Sequence, residues 1–278
     1  MQGIELETAL RAQQYIASSS LITMLDLAVA LNRPILLEGP AGTGKTSLAR
    51  AVACAFEREL IRLQCFEGMD STHALYDWNY HKQFTSLSRQ SNTDIFSQDY
   101  LLSRPLLQAL QSERGAVLLI DEVDRADEAM EALLLEYLGE WQVTIPEWKT
   151  VMAQIRPITI LTSNRTRPLS DALRRRCLYV HLPYPDVAQE LAIVHTHASD
   201  ISTEDATRLI DAVHLMRTWP LSKVPGVAET IDWCTAWCLT GGVWGRPWIE
   251  STLGCVIKDE LDLVWVRDHL DDLVSGFT

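Results

Sequence analysis

The residues Gly39-Pro40-Ala41-Gly42-Thr43-Gly44-Lys45-Thr46 have the types and spacing of a phosphate cradle. A triphosphate is held by inward-pointing backbone N–H groups, so side chains must be absent where the loop closes; Gly39, Gly42 and Gly44 meet that need. Lys45 supplies a cation for the β- and γ-phosphates, and the Thr46 hydroxyl is placed to ligate Mg²⁺. The candidate nucleotide-binding set is therefore Gly39, Pro40, Ala41, Gly42, Thr43, Gly44, Lys45, Thr46 and Ser47. A second constellation ends the apolar run Val117-Leu118-Leu119-Ile120 with Asp121-Glu122. Asp121 suits a metal held through water, and Glu122 suits a general base that polarises an attacking water. The plain structural alternative, two carboxylates opening a helix near Asp124, rests on the preference of acids for helix N-termini. Asn164, after Ile158-Thr159-Ile160-Leu161-Thr162-Ser163, has an amide able to donate to a γ-phosphate while accepting from that water.

These residues need a scaffold that delivers them to one edge. Short apolar runs at 35–37, 60–63, 117–120, 158–161 and 178–180 read as buried strands, and helical patterns such as Ser47 to Phe56 and Ala129 to Leu138 lie between them. Such alternation predicts an α/β fold, a parallel sheet flanked by helices. Past Pro183-Tyr184-Pro185-Asp186 the reading is all helical, over Val187 to His197, Thr203 to Met216 and Ala228 to Leu239. The expected division is a nucleotide-binding α/β domain over 1–186, including an N-terminal helical linker over 1–33, and a smaller helical lid over 187–278. The segments Phe66 to Gln83 and Trp141 to Val151 interrupt the alternation and are expected to contact a target.

Composition narrows the chemistry. The chain has 278 residues, 47% of them hydrophobic, with a formal net charge of −13. That balance argues against a protein built to grip nucleic-acid phosphate. The cysteines Cys54, Cys65, Cys177, Cys234, Cys238 and Cys255 show neither CxxC pairing nor zinc spacing and read as buried free thiols. No basic leader or membrane-length apolar run is evident, so a cytoplasmic protein is expected. His195 and His197, two residues apart on a helix, do not face one another and are set aside as a metal pair. Six of the nine tryptophans fall after residue 187 and read as core, and the acidic stretch from Asp259 to Asp272 reads as a solvated face of an amphipathic helix.

Together with Val123-Asp124-Arg125-Ala126, Gln142-Val143-Thr144-Ile145-Pro146, Ser163-Asn164-Arg165 and Asp171-Ala172-Leu173-Arg174-Arg175-Arg176, these motifs resemble the MoxR family of AAA+ ATPases. Leu63-Gln64-Cys65-Phe66-Glu67-Gly68, Ala74 to Tyr80 and Arg104-Pro105-Leu106-Leu107 resemble its CoxD-type branch, associated with maturation of carbon monoxide dehydrogenase and related molybdenum hydroxylases. The resemblance implies Mg-ATP hydrolysis by a homo-oligomeric, hexameric ring, a partner with a von Willebrand A domain, and a client enzyme to be remodelled. It implies that Asn164 is the first sensor, that Tyr15 and Ile16 contact adenine, and that Arg176 or Arg175 is an arginine finger acting on a neighbour's ATP. The sequence departs from the pattern at Pro225 to Ile231, where many members carry a second-sensor arginine; Lys223 is the nearest cation, without a guanidinium's fork. Two other readings stand beside the motor: a nucleotide-binding regulatory scaffold with little turnover, and a small-molecule P-loop kinase, in which Glu122 would have no task.

Overall fold

Apolar runs too short for helices and bounded by turn residues become the strands of the computed structural model, which describes residues 3–88, 94–146 and 148–275. Helices α1 (Gly3–Ala12) and α2 (Ser19–Ala30) precede β1 (Ile35–Glu38), and α3 (Lys45–Ala55) leads to β2 (Glu59–Gln64). After α4 (Ser71–Ala74), β3 (Tyr76–Trp78), α5 (Tyr80–Ser88), β4 (Leu101–Ser103) and α6 (Pro105–Gln111) comes β5 (Ala116–Asp121). Helix α7 (Glu128–Glu140), the hairpin β6 (Gln142–Thr144) and β7 (Thr150–Met152), β8 (Ile158–Ser163), α8 (Asp171–Arg176) and β9 (Leu178–His181) complete this part.

The main sheet has the order β2-β5-β8-β1-β9, and every pairing in it is parallel. Strands β1, β5 and β8 are buried at every position, which is why they read as unbroken apolar runs; β2 and β9 at the edges are buried only in part. A parallel sheet brings all its carboxyl ends to one edge, so Glu38, Asp121 and Ser163 end their strands side by side. Each expected strand is present, and the α/β class stands. The expected helix opening near Asp124 is instead a 3₁₀ turn, Val123–Arg125, and α7 starts after Asp127, whose side chain accepts from the Met130 N–H. Of the segments expected to interrupt the alternation, Phe66 to Gln83 carries β3, which pairs antiparallel with β4 beyond the segment, and the second carries the β6-β7 ribbon; Glu147, inside the second, lies outside the described residues.

The chain divides into two compact units: Met1–Gln13, Ala17–Gly39 and Lys45–His181 in the first, and Gln14–Ile16, Pro40–Gly44 and Leu182–Thr278 in the second. The second carries α9 (Val187–His197), α10 (Thr203–Arg217), α11 (Val227–Thr240), α12 (Arg246–Val256), α13 (Glu260–Asp268) and α14 (Leu270–Ser275). Asp186, Ser202 and Asp259 cap three of these helices by accepting backbone N–H bonds in their first turns. The tryptophans are largely core here: Trp233 is fully buried, stacks on Trp248 and donates to the Thr252 hydroxyl at 2.9 Å.

Two expectations need correction. Cys54 is exposed, because it falls on the outer side of α3, and Cys238 and Cys255 are only partly buried; Cys65, Cys177 and Cys234 are buried. The acidic stretch is two helices broken at His269 rather than one solvated face, and Asp262 is buried, accepting from the Ser222 and Lys223 N–H groups and the Ser222 hydroxyl. Burial opposes its ionisation, but those hydrogen bonds outweigh it and hold its pKa below the ordinary carboxylate value.

Candidate active site

In the first unit, β1 delivers Glu38 and Gly39 to the carboxyl edge and α3 opens immediately at Lys45. The Lys45 ammonium is buried and donates to the Gly39 carbonyl at 2.8 Å. Burial lowers its pKa, and the carboxylates of Asp124, Asp121 and Glu122 oppose that shift without cancelling it. One residue on, the Thr46 hydroxyl lies 3.2 and 3.3 Å from the two carboxylate oxygens of Asp121. A hydroxyl and a carboxylate meeting at one point are the hard oxygen donors that Mg²⁺ takes together with water and phosphate, so the residues fit that ion. Asp121 is itself held from two sides, by the Thr162 hydroxyl of β8 and by the Arg62 guanidinium of β2 at 2.6 Å.

Glu122 leaves the strand in the left-handed region, with φ 54°, and its N–H donates to the Thr162 hydroxyl at 2.9 Å. This kink carries its carboxylate away from that of Asp121, onto Gln64 Nε2 at 3.0 Å and Arg125 Nε at 3.0 Å. One oxygen, Oε2, takes both contacts. The two acidic side chains are thus neighbours in sequence with different partners, an arrangement that allows one to ligate and the other to accept a proton.

Asn164 follows β8 at the same edge, and its backbone is fixed by a residue to which the sequence reading gave no role. Asp124, buried in the turn after Glu122, accepts from the Asn164 N–H at 3.2 Å and from the N–H and hydroxyl of Thr166 at 2.8 and 2.7 Å. Arg167 and the Ser170 N–H bind the buried Glu131 of α7; burial opposes ionisation of Glu131, but these hydrogen bonds hold its pKa below the ordinary value. In the sequence Asp124 is marked by its place three residues after Asp121 and by the Val123-Asp124-Arg125-Ala126 motif, neither of which gives it a partner.

The arginine run does not act as one group. Arg174 pairs with the buried Glu38 at 3.0 Å, as does Arg165 at 3.1 Å. Arg175 and Arg176 turn the other way and line a cavity at the amino edge of the sheet with Arg33 and Arg156. Within one chain they are not brought to Thr46 and Asp121.

In the second unit, Pro40–Gly44 gathers its own partners. Gly42 and Gly44 have φ of 77° and 83°, open to glycine at little cost. The Gly42 carbonyl accepts from the Val227 N–H at 3.0 Å, and a Cβ on Gly226 would stand 2.7 Å from the Gly42 Cα. The Tyr184 hydroxyl donates to the Ala41 carbonyl, and the Arg217 guanidinium lies 4.5 Å from the Tyr184 ring centre. Arg217 also donates to the Pro225 carbonyl and forks onto the fully buried Glu190. Tyr15 lies beside Gly44, where a Cβ would meet its ring at 3.5 Å, and burial raises the pKa of its phenol; Ile16 is half-buried next to it. Lys223, the nearest cation to the second-sensor position, is exposed and paired with Asp259 at 3.3 Å. Among the described residues no His, Cys, Asp and Glu group could hold a metal by itself, and no helix is long and apolar enough to cross a membrane.

Residues 34–177, slightly more than half the chain, match the AAA domain of the dynein-related subfamily. The gas vesicle ATPase GvpN of Haloferax mediterranei is 26% identical over 200 residues, covering 67% of this chain and 57% of that protein. The RuvB subunit of the Holliday junction branch migration complex of Thermotoga maritima is 28% identical over 183 residues, 62% of this chain and 45% of RuvB. The chain thus matches about half the length of these relatives. A solved structure of a point mutant of Thermotoga maritima RuvB superposes with a TM-score of 0.53 at 19% identity, over 92% of this chain and 75% of that one, a likeness of fold. With a phosphate loop, a strand-end carboxylate pair and an asparagine following the next strand of one parallel sheet, the chain belongs to the AAA ATPases, in their dynein-related subfamily.

Proposed function

We propose that this chain is an ATP-driven motor that works as a homo-oligomeric ring and remodels or matures a partner enzyme. The observation that carries the reading is the meeting of the Thr46 hydroxyl with the Asp121 carboxylate, beside a Glu122 carboxylate with a different set of partners. Gly39 to Thr46 hold the triphosphate, and Thr46 and Asp121 hold Mg²⁺. The ion supplies charge neutralisation on the transferring phosphoryl group. Lys45 neutralises phosphate charge, Glu122 accepts a proton from the attacking water, and Asn164 orients that water. Tyr15 and Ile16 contact the adenine. Arg176, with Arg175 as the alternative, reaches the ATP of a neighbouring copy, a reading supported by their turning away from the carboxylate cluster of their own chain.

Within this activity we place the chain in the MoxR family, in a branch resembling the CoxD type. That assignment brings a hexamer, a von Willebrand A domain partner and metal-centre maturation of a molybdenum hydroxylase such as carbon monoxide dehydrogenase. The CoxD-type part of it rests on the segments at 63–68, 74–80 and 104–107. The regulatory-scaffold reading draws support from one contact, the pairing of Lys223 with Asp259, which leaves the lid without an evident second sensor. Phosphate release by the purified chain, with ATP and Mg²⁺ and no small-molecule acceptor, separates the readings. Steady turnover is expected, binding without turnover would favour the scaffold, and turnover only with an added acceptor would favour a kinase. Co-purification with a trapped Glu122→Gln variant identifies the client.

A further inference from the structure

The amino edge of the sheet carries a second concentration of charge. Arg33 precedes β1, Arg156 precedes β8 and Arg176 precedes β9, so the parallel register alone gathers them at one end. With Arg175 they line a cavity of about 510 Å³ whose apolar wall includes Leu138 and Trp141. The lining contains no acidic residue, although the whole chain has a formal net charge of −13. Among the described residues, no carboxylate forms an ion pair with any of these four arginines, in contrast to Arg174 beside them, which is paired with Glu38.

The backbone that presents these cations is itself held by arginines. The Arg33 guanidinium donates to the carbonyls of Arg175 at 2.6 Å, Arg176 at 3.1 Å and Cys177 at 3.4 Å, at the C-terminal end of α8 where the helix dipole favours a cation. Arg58 donates to the Arg156 carbonyl at 3.3 Å. Arg176 lies over α7, with Nη2 at 3.5 Å from the Leu135 carbonyl. Gathering like charges without a counter-charge costs free energy, so a cluster built in this way is matched to an anion supplied from outside the chain.

We propose that this cavity is a phosphate receptor and that Arg156 acts in it alongside Arg176 on the triphosphate of ATP bound to a second copy, with Arg33 and Arg58 as positioning residues. The proposal rests on the shared-site reading above. Thr46 and Asp121 stand at the carboxyl ends of the strands and the receptor at their amino ends, separated by a strand length of roughly 15–20 Å at about 3.3 Å per residue. No arginine side chain spans that, so a chain cannot serve its own loop with this receptor. Contact between two different patches on identical chains is heterologous, and repeated by rotation it closes a ring.

The test uses the full-length protein, with ATP binding followed by a fluorescent analogue and turnover by phosphate release. Arg156→Ala should bind ATP as the parent does and lose about tenfold or more in turnover, because a cation on the transferring phosphoryl group is worth this or more. Mixing it with Lys45→Ala, which contributes an intact receptor and an emptied loop, should restore part of the loss. Arg33→Gln should behave the same way, rescue in trans included; a merely structural role would lower its own ATP binding and resist rescue. If Arg156→Ala keeps full turnover while Arg176→Ala loses it and is rescued, the receptor proposal fails and the shared site stands. If neither variant loses turnover, the receptor proposal fails and the shared site is left to the same test on Arg175→Ala, where full turnover would end it too. Sodium tripolyphosphate titrated into dilute, monomeric Lys45→Ala should show no saturable binding. Saturable binding there, abolished by adding Arg156→Ala, would make the ligand a free phosphate compound and overturn the assignment to a second copy.

Discussion

Glu122 differs from Asp121 by one position in sequence and by its side-chain partners, and that difference supports the two roles proposed for them. Glu122→Gln keeps the phosphate loop and the Thr46–Asp121 pair, so it should bind ATP normally and lose roughly two to four decades of turnover, the usual worth of a general base. Near-normal turnover would remove Glu122 from the mechanism. Asp124→Asn tests the buried carboxylate that fixes the loop carrying Asn164 through three hydrogen bonds to Asn164 and Thr166. An amide replaces one acceptor oxygen with a donor, so a loss of about 1–3 kcal/mol in stability is expected from the mismatched buried group, with a fall in turnover at unchanged ATP binding. Thermal unfolding and phosphate release measure the two effects. The placement of Lys45, Thr46, Asp121 and Glu122 at one sheet edge was legible because it follows from residue types at fixed local spacing. Asp124, Arg62, Gln64 and Thr162 were not, because their partners sit about 40 to 60 residues away and meet them only once β2, β5 and β8 pair.

At the scale of elements, α11 begins against the phosphate loop through main chain alone. A Cβ at Gly226 would press on the Gly42 Cα, backbone that cannot move aside as a side chain can. Gly226→Ala should therefore weaken ATP binding by about tenfold or more, on the order of 1.4 kcal/mol or above. Gly241→Ala faces open space at φ 59° and should cost only about 1 kcal/mol of stability, without touching nucleotide binding. Equal ATP affinity in the two variants would refute the coupling. The core of the second unit turns on Trp233, and Trp233→Ala should lower stability by about 3–5 kcal/mol in denaturant unfolding. Glu131 and Asp262 make stability depend on pH. Both carboxyls have folded pKa values below their unfolded ones, so their contribution is fully present above the unfolded values, near 4. It is lost as pH falls from there through the lower folded values. An acid titration of unfolding free energy should decline over that range, and Glu131→Gln should flatten it. Strands were legible at this scale because burial on both faces leaves an unbroken apolar run. The break at His269 and the burial of Asp262 were not, since alternating acids and aliphatics read equally well as one solvated helix.

For the whole molecule, the separation of cations matters most: Arg174 is committed to Glu38 within the chain, while Arg175 and Arg176 face a cavity on the far edge of the sheet. On the proposed shared-site reading, such a chain carries a nucleotide loop and a finger that only a neighbour can bring together. Lys45→Ala should accordingly lose ATP binding and, with it, ATP-dependent assembly, read by light scattering with and without nucleotide. Equal assembly of both proteins without ATP would contradict nucleotide-linked association. The most direct measurement of the shared site is phosphate release from a mixture of Lys45→Ala and Arg176→Ala, each nearly inactive alone. Arg176→Ala should bind ATP normally and fall by about three to five decades in turnover, and the co-assembled mixture should exceed the sum of the separate activities, because an intact loop then meets an intact finger. Full activity in Arg176→Ala alone, with co-assembled mixtures that only add, would contradict the shared site for Arg176, and the same result with Arg175→Ala would end it.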